Sequence, residues 1–219
     1  MNKHLFRVFT TVLFPAVAFA VDGVTLINQS TVLAAGGFPY TITTAGSYKL
    51  SGNLVASAGK QAILVAATNV VLDLAGFNVA CTLGQNNTNQ DFNCVGDSGA
   101  TPSGITDVSI RNGTVTLTQT ANSLGNGVNV AVGFLGSSNI IAEHLHIEAI
   151  RLGGPLGPAP SDLEFGVHSI IRHNILSGSG GVVGGIIGLC PSLLEGNING
   201  PFTQSAFSGC VLVNNVGIL

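Results

Sequence analysis

Charged side chains are scarce in this sequence, at 8% of 219 residues, whereas about 25% is usual in soluble domains. Tryptophan is absent and aromatic residues make up only 6%. So little charge argues against solvated helices, and the 46% of hydrophobic residues argues against a disordered chain. A net charge of −3 offers no basic surface, so we expect no nucleic-acid partner. The 30 glycines and many small polar residues are typical of short strands joined by tight corners.

Residues 1–20 have the pattern of a signal peptide. Lys3, His4 and Arg7 precede a short apolar run at 8–14, and residues 18–20 (AFA) have the small-x-small form of a cleavage site. No later segment has about 20 uninterrupted apolar residues, so we expect no transmembrane segment after cleavage. The pattern predicts a secreted, periplasmic or cell-surface protein, and an uncleaved membrane anchor is the alternative.

The four cysteines allow two disulfides with three connectivities in an exported chain. Cys81 and Cys94 flank the polar stretch TLGQNNTNQDFN, which favours a local disulfide. Cys190 and Cys210 lie 20 residues apart, close to one repeat of the scaffold described next, and favour a second. Four buried thiols are the alternative. The absence of C-x-x-C spacing argues against a redox or zinc site made by cysteines.

Internal repeats are the most informative feature of the chain. Each has a small residue followed by Ile or Val, a variable stretch, a short strand, a polar corner and a second short strand. Examples are AILVAATNVVLDLAGFNV, SGITDVSIRNGTVTL, GVNVAVGFLGSSNIIAEHLHI, GVHSIIRHNIL and GGIIGLCPSLLEGNI. Such strands are unstable alone, but stacked at roughly 4.8 Å they bury a continuous aliphatic core. The repeat predicts an all-β parallel β-helix of about six coils over residues 46–219, after a lead or cap segment at 21–45.

Three stretches, TITTAGSYKLSGNL, NVVLDLAGFNV and VSIRNGTV, resemble the first coils of exported bacterial right-handed parallel β-helix proteins. These proteins have a pectate-lyase-like shape, and the group that this chain resembles is described only by its repeats. The resemblance covers roughly residues 22–219 and is strongest between 41 and 115. It implies a right-handed coil and is more specific for fold than for activity.

Charged residues of alternating sign occupy one position when the repeats are aligned on their corners. Alternating signs attract between layers, although exposed pairs contribute only ~0.2–1 kcal/mol each. We interpret this position as a structural ladder. Its members are Arg111, Glu143, Arg172 and Glu195, with Asp73 as a further member unless the register shifts by one residue.

The segment IIAEHLHIEAI has a competing interpretation as a metal site. In an uninterrupted strand His144, His146 and Glu148 would share one face and form a zinc or iron triad. If the chain turns at Glu143 and His144, however, His144 leaves the face of His146. We therefore predict no metal and no other cofactor, and favour the ladder over a functional carboxylate or histidine in a carbohydrate groove.

Catalysis would require side chains gathered near the loops. Intervals of 32, 29 and 23 residues between ladder members indicate insertions at TQTANSLGNG and LGGPLGPAPSD, which with residues 82–104 would wall a groove. Glycoside hydrolysis needs two carboxyls, and lyase chemistry needs a cation and a base. The catalytic candidates are Glu143, Asp162, Glu164, His168 and Arg172. Further lyase or acid candidates are Arg111, Glu148, Arg151 and His173, and Asp91 and Asp97 are candidate Ca²⁺ ligands.

The enzymes that this chain resembles have features that it lacks. The paired aspartates and Gly-His-Gly of polygalacturonases are missing, as is the aspartate cluster of Ca²⁺-dependent pectate lyases. We therefore predict a surface or carbohydrate-interacting scaffold of undetermined activity, with a polysaccharide as the expected partner. The alternatives are a lyase or glycoside hydrolase acting on an acidic polysaccharide, or a fragment of a larger adhesin-like protein. The chain stops inside the apolar repeat VLVNNVGIL, which suggests truncation, self-association or a partner that covers this end.

Overall fold

The computed structural model describes residues 23–83, 92–98, 104–120, 129–152, 161–179, 186–199 and 209–216. These residues form strands, corners and one short helix, α1 (Gln29–Ala34). The strands are β1 (Val24–Ile27), β2 (Tyr40–Ile42), β3 (Gly46–Leu50), β4 (Leu54–Val55), β5 (Ile63–Val65), β6 (Val70–Asp73), β7 (Asn78–Leu83), β8 (Phe92–Gly96), β9 (Thr106–Thr120), β10 (Asn129–Phe134), β11 (Ser138–Leu152), β12 (Ser161–Phe165), β13 (Ile170–Arg172), β14 (Ile175–Ser179), β15 (Ile186–Gly188), β16 (Leu193–Glu195), β17 (Ile198–Asn199) and β18 (Val211–Val213).

The strands form two parallel sheets. The first follows the order β1-β3-β6-β9-β11-β13-β16-β18, and β4, β7, β14 and β17 pair around the second halves of the long strands β9 and β11. The second follows the order β2-β5-β8-β10-β12-β15. This all-β arrangement is consistent with the predicted β-helix. The first path contains eight strands, of which β1 lies in the segment predicted as a lead or cap.

Two columns of residues with positive φ form corners of the stack. One bends the chain inside β9 and β11 and continues through the neighbouring layers, and the other lies at or just before the start of β6, β9, β11 and β13. Side chains resist this left-handed conformation, and Gly, Asn, Asp and His are the residues that adopt it most readily. The first column contains Asn112, His144, His173, Gly196 and Asn214, and the second contains Asn69, Asp107, Asn139 and His168.

The core is an aliphatic column between the sheets. Residues of the first sheet alternate inward and outward. In β6, for example, Val70 and Leu72 are buried, and Val71 and Asp73 are partly exposed. The equivalent inward position holds Ile110, Ala142, Ile171 and Leu194 in successive layers. The strands β8, β10 and β12 of the second sheet are buried at every position.

Three asparagines, two of them buried, join neighbouring layers on the inner side of the first corner column. The Asn174 amide nitrogen donates to the Asn197 side-chain oxygen at 3.0 Å, and the Asn197 amide nitrogen donates to the Asn215 oxygen at 2.9 Å. The same side chains bond the backbone of neighbouring layers, for example Asn174 Nδ2 to the Ala142 carbonyl. Each amide thus satisfies backbone groups that would otherwise be buried unpaired. We name this set, Asn174, Asn197 and Asn215, the asparagine ladder.

The segment predicted as a lead or cap contains the helix and two strands of the sheets. Asn28 caps α1 through a capping box with Thr31, and Val32 is buried in the core. The Gln29 side chain bonds both backbone groups of Val55. β1 pairs with β3 and β2 pairs with β5, so both strands of this segment belong to the two sheets.

Both predicted cysteine pairs form disulfides, Cys81–Cys94 and Cys190–Cys210. Two disulfides are typical of an oxidising, extracellular environment. In the part of the chain that the structure describes, no helix has the length and apolarity needed to cross a bilayer. The predicted signal peptide, the cleavage site and the tips of the three predicted insertions lie outside the described residues.

Candidate functional site

The charged positions predicted as a ladder lie in register on the outer face of the first sheet. Glu143 pairs with Arg111 on one side and with Arg172 on the other, and Arg172 pairs with Glu195. Asp73 aligns with Arg111, as the unshifted register predicts, and Lys49 aligns with Asp73, so the column extends by one residue beyond the prediction. Continuing the alternation of sign by one more repeat was the signal that would have found Lys49. The charge ladder is Lys49, Asp73, Arg111, Glu143, Arg172 and Glu195.

Two contacts show how the charge ladder uses its carboxylates. Arg172 Nε donates to Glu143 Oε2 at 2.7 Å, and Arg172 Nη2 lies 2.6 Å from the same oxygen. Arg111 Nε is 3.6 Å from Asp73 Oδ2, while Asp73 Oδ1 accepts the Ala75 backbone N–H at 2.8 Å. Glu143 is thus engaged by a guanidinium and Asp73 by the corner that follows it. Both arrangements stabilise the layers.

The five catalytic candidates occupy three separate places. Glu143 and Arg172 form the ion pair on the outer face of the first sheet. Asp162 and Glu164 lie in β12 of the second sheet, where they are 0% and 5% exposed, and Asp162 Oδ1 accepts the backbone N–H of a β11 residue. His168 is exposed at the second corner column. Within the residues described here, these side chains do not line one cleft, and their catalytic role stays a prediction.

The proposed metal triad is divided by the corner. His144 adopts the left-handed conformation and stacks on His173, with ring centroids 5.3 Å apart and planes inclined by 23°. His146 lies in the second half of β11, beyond the corner, with Nε2 3.1 Å from Ser177 Oγ. Among the residues whose placement is described, no group of three or more His, Cys, Asp or Glu side chains could hold a metal ion. Of the two candidate Ca²⁺ ligands, Asp97 is buried and accepts a hydrogen bond from Ser137 Oγ, and Asp91 lies outside the described residues.

Sequence reasoning missed a depression beside the charge ladder on the same outer face. Its floor is formed by outward residues of neighbouring strands, and its volume is about 430 Å³. Asp107, Asn139 and His168 of the second corner column form its rim. A polar residue stands at or just before the start of β6, β9, β11 and β13, but in the sequence this pattern looks the same as that of ordinary turns. The floor contains Val71, Ser109, Ile141 and Ile170.

Asp107 is the most constrained polar group of this depression. Its carboxylate accepts the Thr106 hydroxyl at 2.7 Å and the Asn139 amide N–H at 3.1 Å. These hydrogen bonds, first from Thr106 and then from Asn139, lower the pKa of Asp107 below its ordinary value of 3.8. The carboxylate is exposed and ionised at neutral pH, and its orientation is set by two neighbours.

No protein-family model matches this sequence, and no curated protein or solved structure is significantly similar to it. The two corner columns and the face between them are the features of the described chain that bear on its function.

Proposed function

We propose that this chain is an exported right-handed parallel β-helix that binds an extended carbohydrate on the outer face of its first sheet, without catalysing a reaction. We name the 430 Å³ depression with its Asp107, Asn139 and His168 rim the face site. The observation that carries the proposal is its combination of an aliphatic floor with an oriented carboxylate and amide. Pockets that bind small molecules are mostly apolar, with a few placed polar groups, and have volumes of about 300–1,000 Å³.

The chemistry of a pyranose ring matches the two parts of the face site. One face of such a ring presents C–H groups, which gain by covering aliphatic side chains such as Ile141 and Ile170. Its edge presents hydroxyls, which donate to a carboxylate and accept from an amide N–H, as Asp107 and Asn139 offer. Charge-assisted hydrogen bonds of this kind are stronger than neutral ones.

The repeat along the stack favours a polymer over a single sugar. Parallel strands follow each other at about 4.8 Å, and the floor position recurs in register from Val71 through Ser109, Ile141 and Ile170 to Leu193. A chain molecule lying along this column would make similar contacts at successive layers. Its affinity would then rise with the number of sugar units, because each added contact is made without a new association cost.

The arrangement of carboxylates favours binding without catalysis. Glu143 is held by two nitrogens of Arg172, and Asp162 and Glu164 are buried in the other sheet. Glycoside hydrolysis needs two carboxyls facing one substrate. The pattern of residues 1–20 and the two disulfides support export, where polysaccharides are accessible.

Binding to soluble oligosaccharides of increasing length tests the proposal. Asp107→Asn and Ile141→Ser are matched replacements, because Asn139 and Ser109 occupy the same two positions in adjacent layers. Each variant should weaken binding by ~10-fold in calorimetric titrations, as loss of one charged hydrogen bond or one aliphatic contact implies. Thr116→Ala is the control, because Ala80 occupies that position one layer away in the second half of the first sheet.

The proposal would be overturned if Asp107→Asn and Ile141→Ser bound glycans as tightly as the control Thr116→Ala, or if the chain bound no neutral or acidic glycan. The enzyme alternative has its own test, in which the chain is incubated with uronate polymers and both unsaturated products and reducing ends are followed. Product formation that is lost in Glu143→Gln would replace binding by catalysis as the function. The fragment alternative is tested by the coding DNA downstream of Leu219, where an in-frame continuation with more repeats would support it.

A further inference from the structure

A second depression, on the other side of the charge ladder, is lined by three exposed imidazoles. His144, His146 and His173 surround a space of about 320 Å³, together with Gly76, Gly113, Thr114 and Ile175. We name this space the histidine notch. We propose that the histidine notch binds an oxyanion, either free sulfate or a sulfate or carboxylate group of a larger molecule, and does so at mildly acidic pH.

The fold holds two of the rings in place. His144 and His173 adopt φ values of 54°, and their rings stack with centroids 5.3 Å apart. On its other side the His173 ring packs over Gly196, where an added Cβ would lie 2.8 Å from His173 Cδ2. The left-handed Gly196, in the layer next to His173, therefore leaves room for the His173 ring. Two imidazoles are positioned together before any ligand arrives, which lowers the ordering cost of binding.

The charged groups around the notch leave it cationic once the rings are protonated. Glu143 precedes His144, but it is already paired with Arg172, which precedes His173. Asn112 and Gly196 flank the two histidines in the corner column and carry no charge. The remaining charged neighbours are Arg111, which lies 3.6 Å from Asp73, Glu195 in the adjacent layer of the ladder, and Glu148, which lies two residues beyond His146 on the same face. With all three rings protonated, cations outnumber carboxylates in this group.

The pH dependence follows from the chemistry of imidazole, which as a class gains a proton in the range of about pH 5 to 8. The ring centroids of His144 and His173 are 5.3 Å apart, so one oxyanion can lie beside both rings. A neutral imidazole donates one N–H and a protonated one donates two. The same site therefore binds anions weakly at neutral pH and tightly at acidic pH.

Inorganic sulfate is a suitable probe, because its charge does not change across this range. The full chain is titrated with sodium sulfate near pH 5 and near pH 7.5, against sodium chloride at equal ionic strength, while histidine ring resonances are followed by NMR. We expect saturable shifts at His144 and His173, with at least ~10-fold tighter binding near pH 5. Equal affinity at both pH values, or shifts that sodium chloride reproduces, would overturn the proposal.

The column supplies replacements that keep the corner. Asn112 and Asn214 occupy the same left-handed position as the two stacked histidines, so His144→Asn and His173→Asn should fold. Both should lose the tight acidic binding. His168→Asn is the control, because it changes a histidine of the face site at a position that Asn139 fills one layer away. Loss of sulfate binding in His168→Asn to the same extent would contradict the assignment.

A sulfated oligosaccharide distinguishes the source of the oxyanion. If it competes with sulfate at the notch, the group is carried by a larger molecule, and if only the free ion binds, the notch is an inorganic oxyanion site. Either result supports the proposal. The proposal also stands apart from the face site, because Asp107→Asn should leave sulfate binding unchanged, and His144→Asn should leave the binding of neutral glycans unchanged.

Discussion

Replacement of Asn174 in the asparagine ladder tests whether buried amides hold the layers together. The side chain is 0% exposed and makes three hydrogen bonds. Its oxygen accepts the Leu145 backbone N–H at 3.0 Å, and its nitrogen donates to the Ala142 carbonyl and to the Asn197 side-chain oxygen. Asn174→Ala removes all three bonds in a place that water does not reach.

The size of the effect follows from what each partner loses. The Leu145 N–H is left without this buried acceptor, which costs about 1–3 kcal/mol. The Asn197 oxygen keeps the Asn174 backbone N–H at 3.1 Å, and the Ala142 carbonyl loses one donor, so these two add about 0.5–1.5 kcal/mol each. We expect Asn174→Ala to lower the free energy of unfolding by about 3 kcal/mol. With a urea dependence of about 2 kcal/mol/M, the unfolding midpoint falls by about 1–2 M.

Equilibrium urea unfolding followed by far-UV circular dichroism measures this change. Asn174→Leu separates hydrogen bonding from volume, because Leu145 fills the equivalent position one layer away, and it should remain nearly as unstable as the alanine variant. Asn215→Ala, at a partly exposed member of the ladder, should cost about 1 kcal/mol. A loss below about 0.5 kcal/mol for Asn174→Ala, or full recovery in Asn174→Leu, would refute the reasoning.

Three further perturbations test other parts of the structure. Exchanging the charges of one ion pair, in Glu143→Arg/Arg172→Glu, should leave the chain less stable than the wild type in urea unfolding. The new arginine would lie beside Arg111 and the new glutamate beside Glu195, so each meets a like charge in the next layer. Wild-type stability in the double variant would show that the pair is isolated from its neighbours. The pKa of Asp107, followed by NMR, should lie below 3.8. Its contribution to stability is therefore present above that value and is lost as the pH falls through the folded-state pKa. Asn139→Gly removes one of the two hydrogen bonds to the carboxylate and should move the pKa back upward. Reduction of both disulfides should destabilise the chain by about 3 kcal/mol for each loop closed, and an unchanged Tm under reductant would contradict this.

The charge ladder was predictable because its members occupy one position of a repeat. Once Arg111 and Glu143 are aligned on their corners, parallel stacking alone makes them neighbours. The left-handed corner at His144 was also foreseeable from the same alignment. It explains why His144 and His146 do not lie on one face of an uninterrupted strand. Lys49 was missed because its repeat is less regular and was not included in the alignment.

The two candidate sites were not predictable in the same way. The face site combines Asp107, Asn139 and His168 with residues of four strands, and no local pattern distinguishes these polar corners from ordinary turns. The burial of Asp162 and Glu164 likewise depends on what packs against the second sheet, which residue spacing does not reveal.

The sequence by itself determined that short strands stack in parallel, which cysteines pair and which charges alternate, because a repeat converts distance along the chain into distance between layers. Only the tertiary structure decided which side chains reach solvent, which carboxylates are already engaged and where polar corners meet an aliphatic floor. Those properties depend on the direction of each side chain and on the packing of one sheet against another. Neither is encoded in the order of residues within a single repeat.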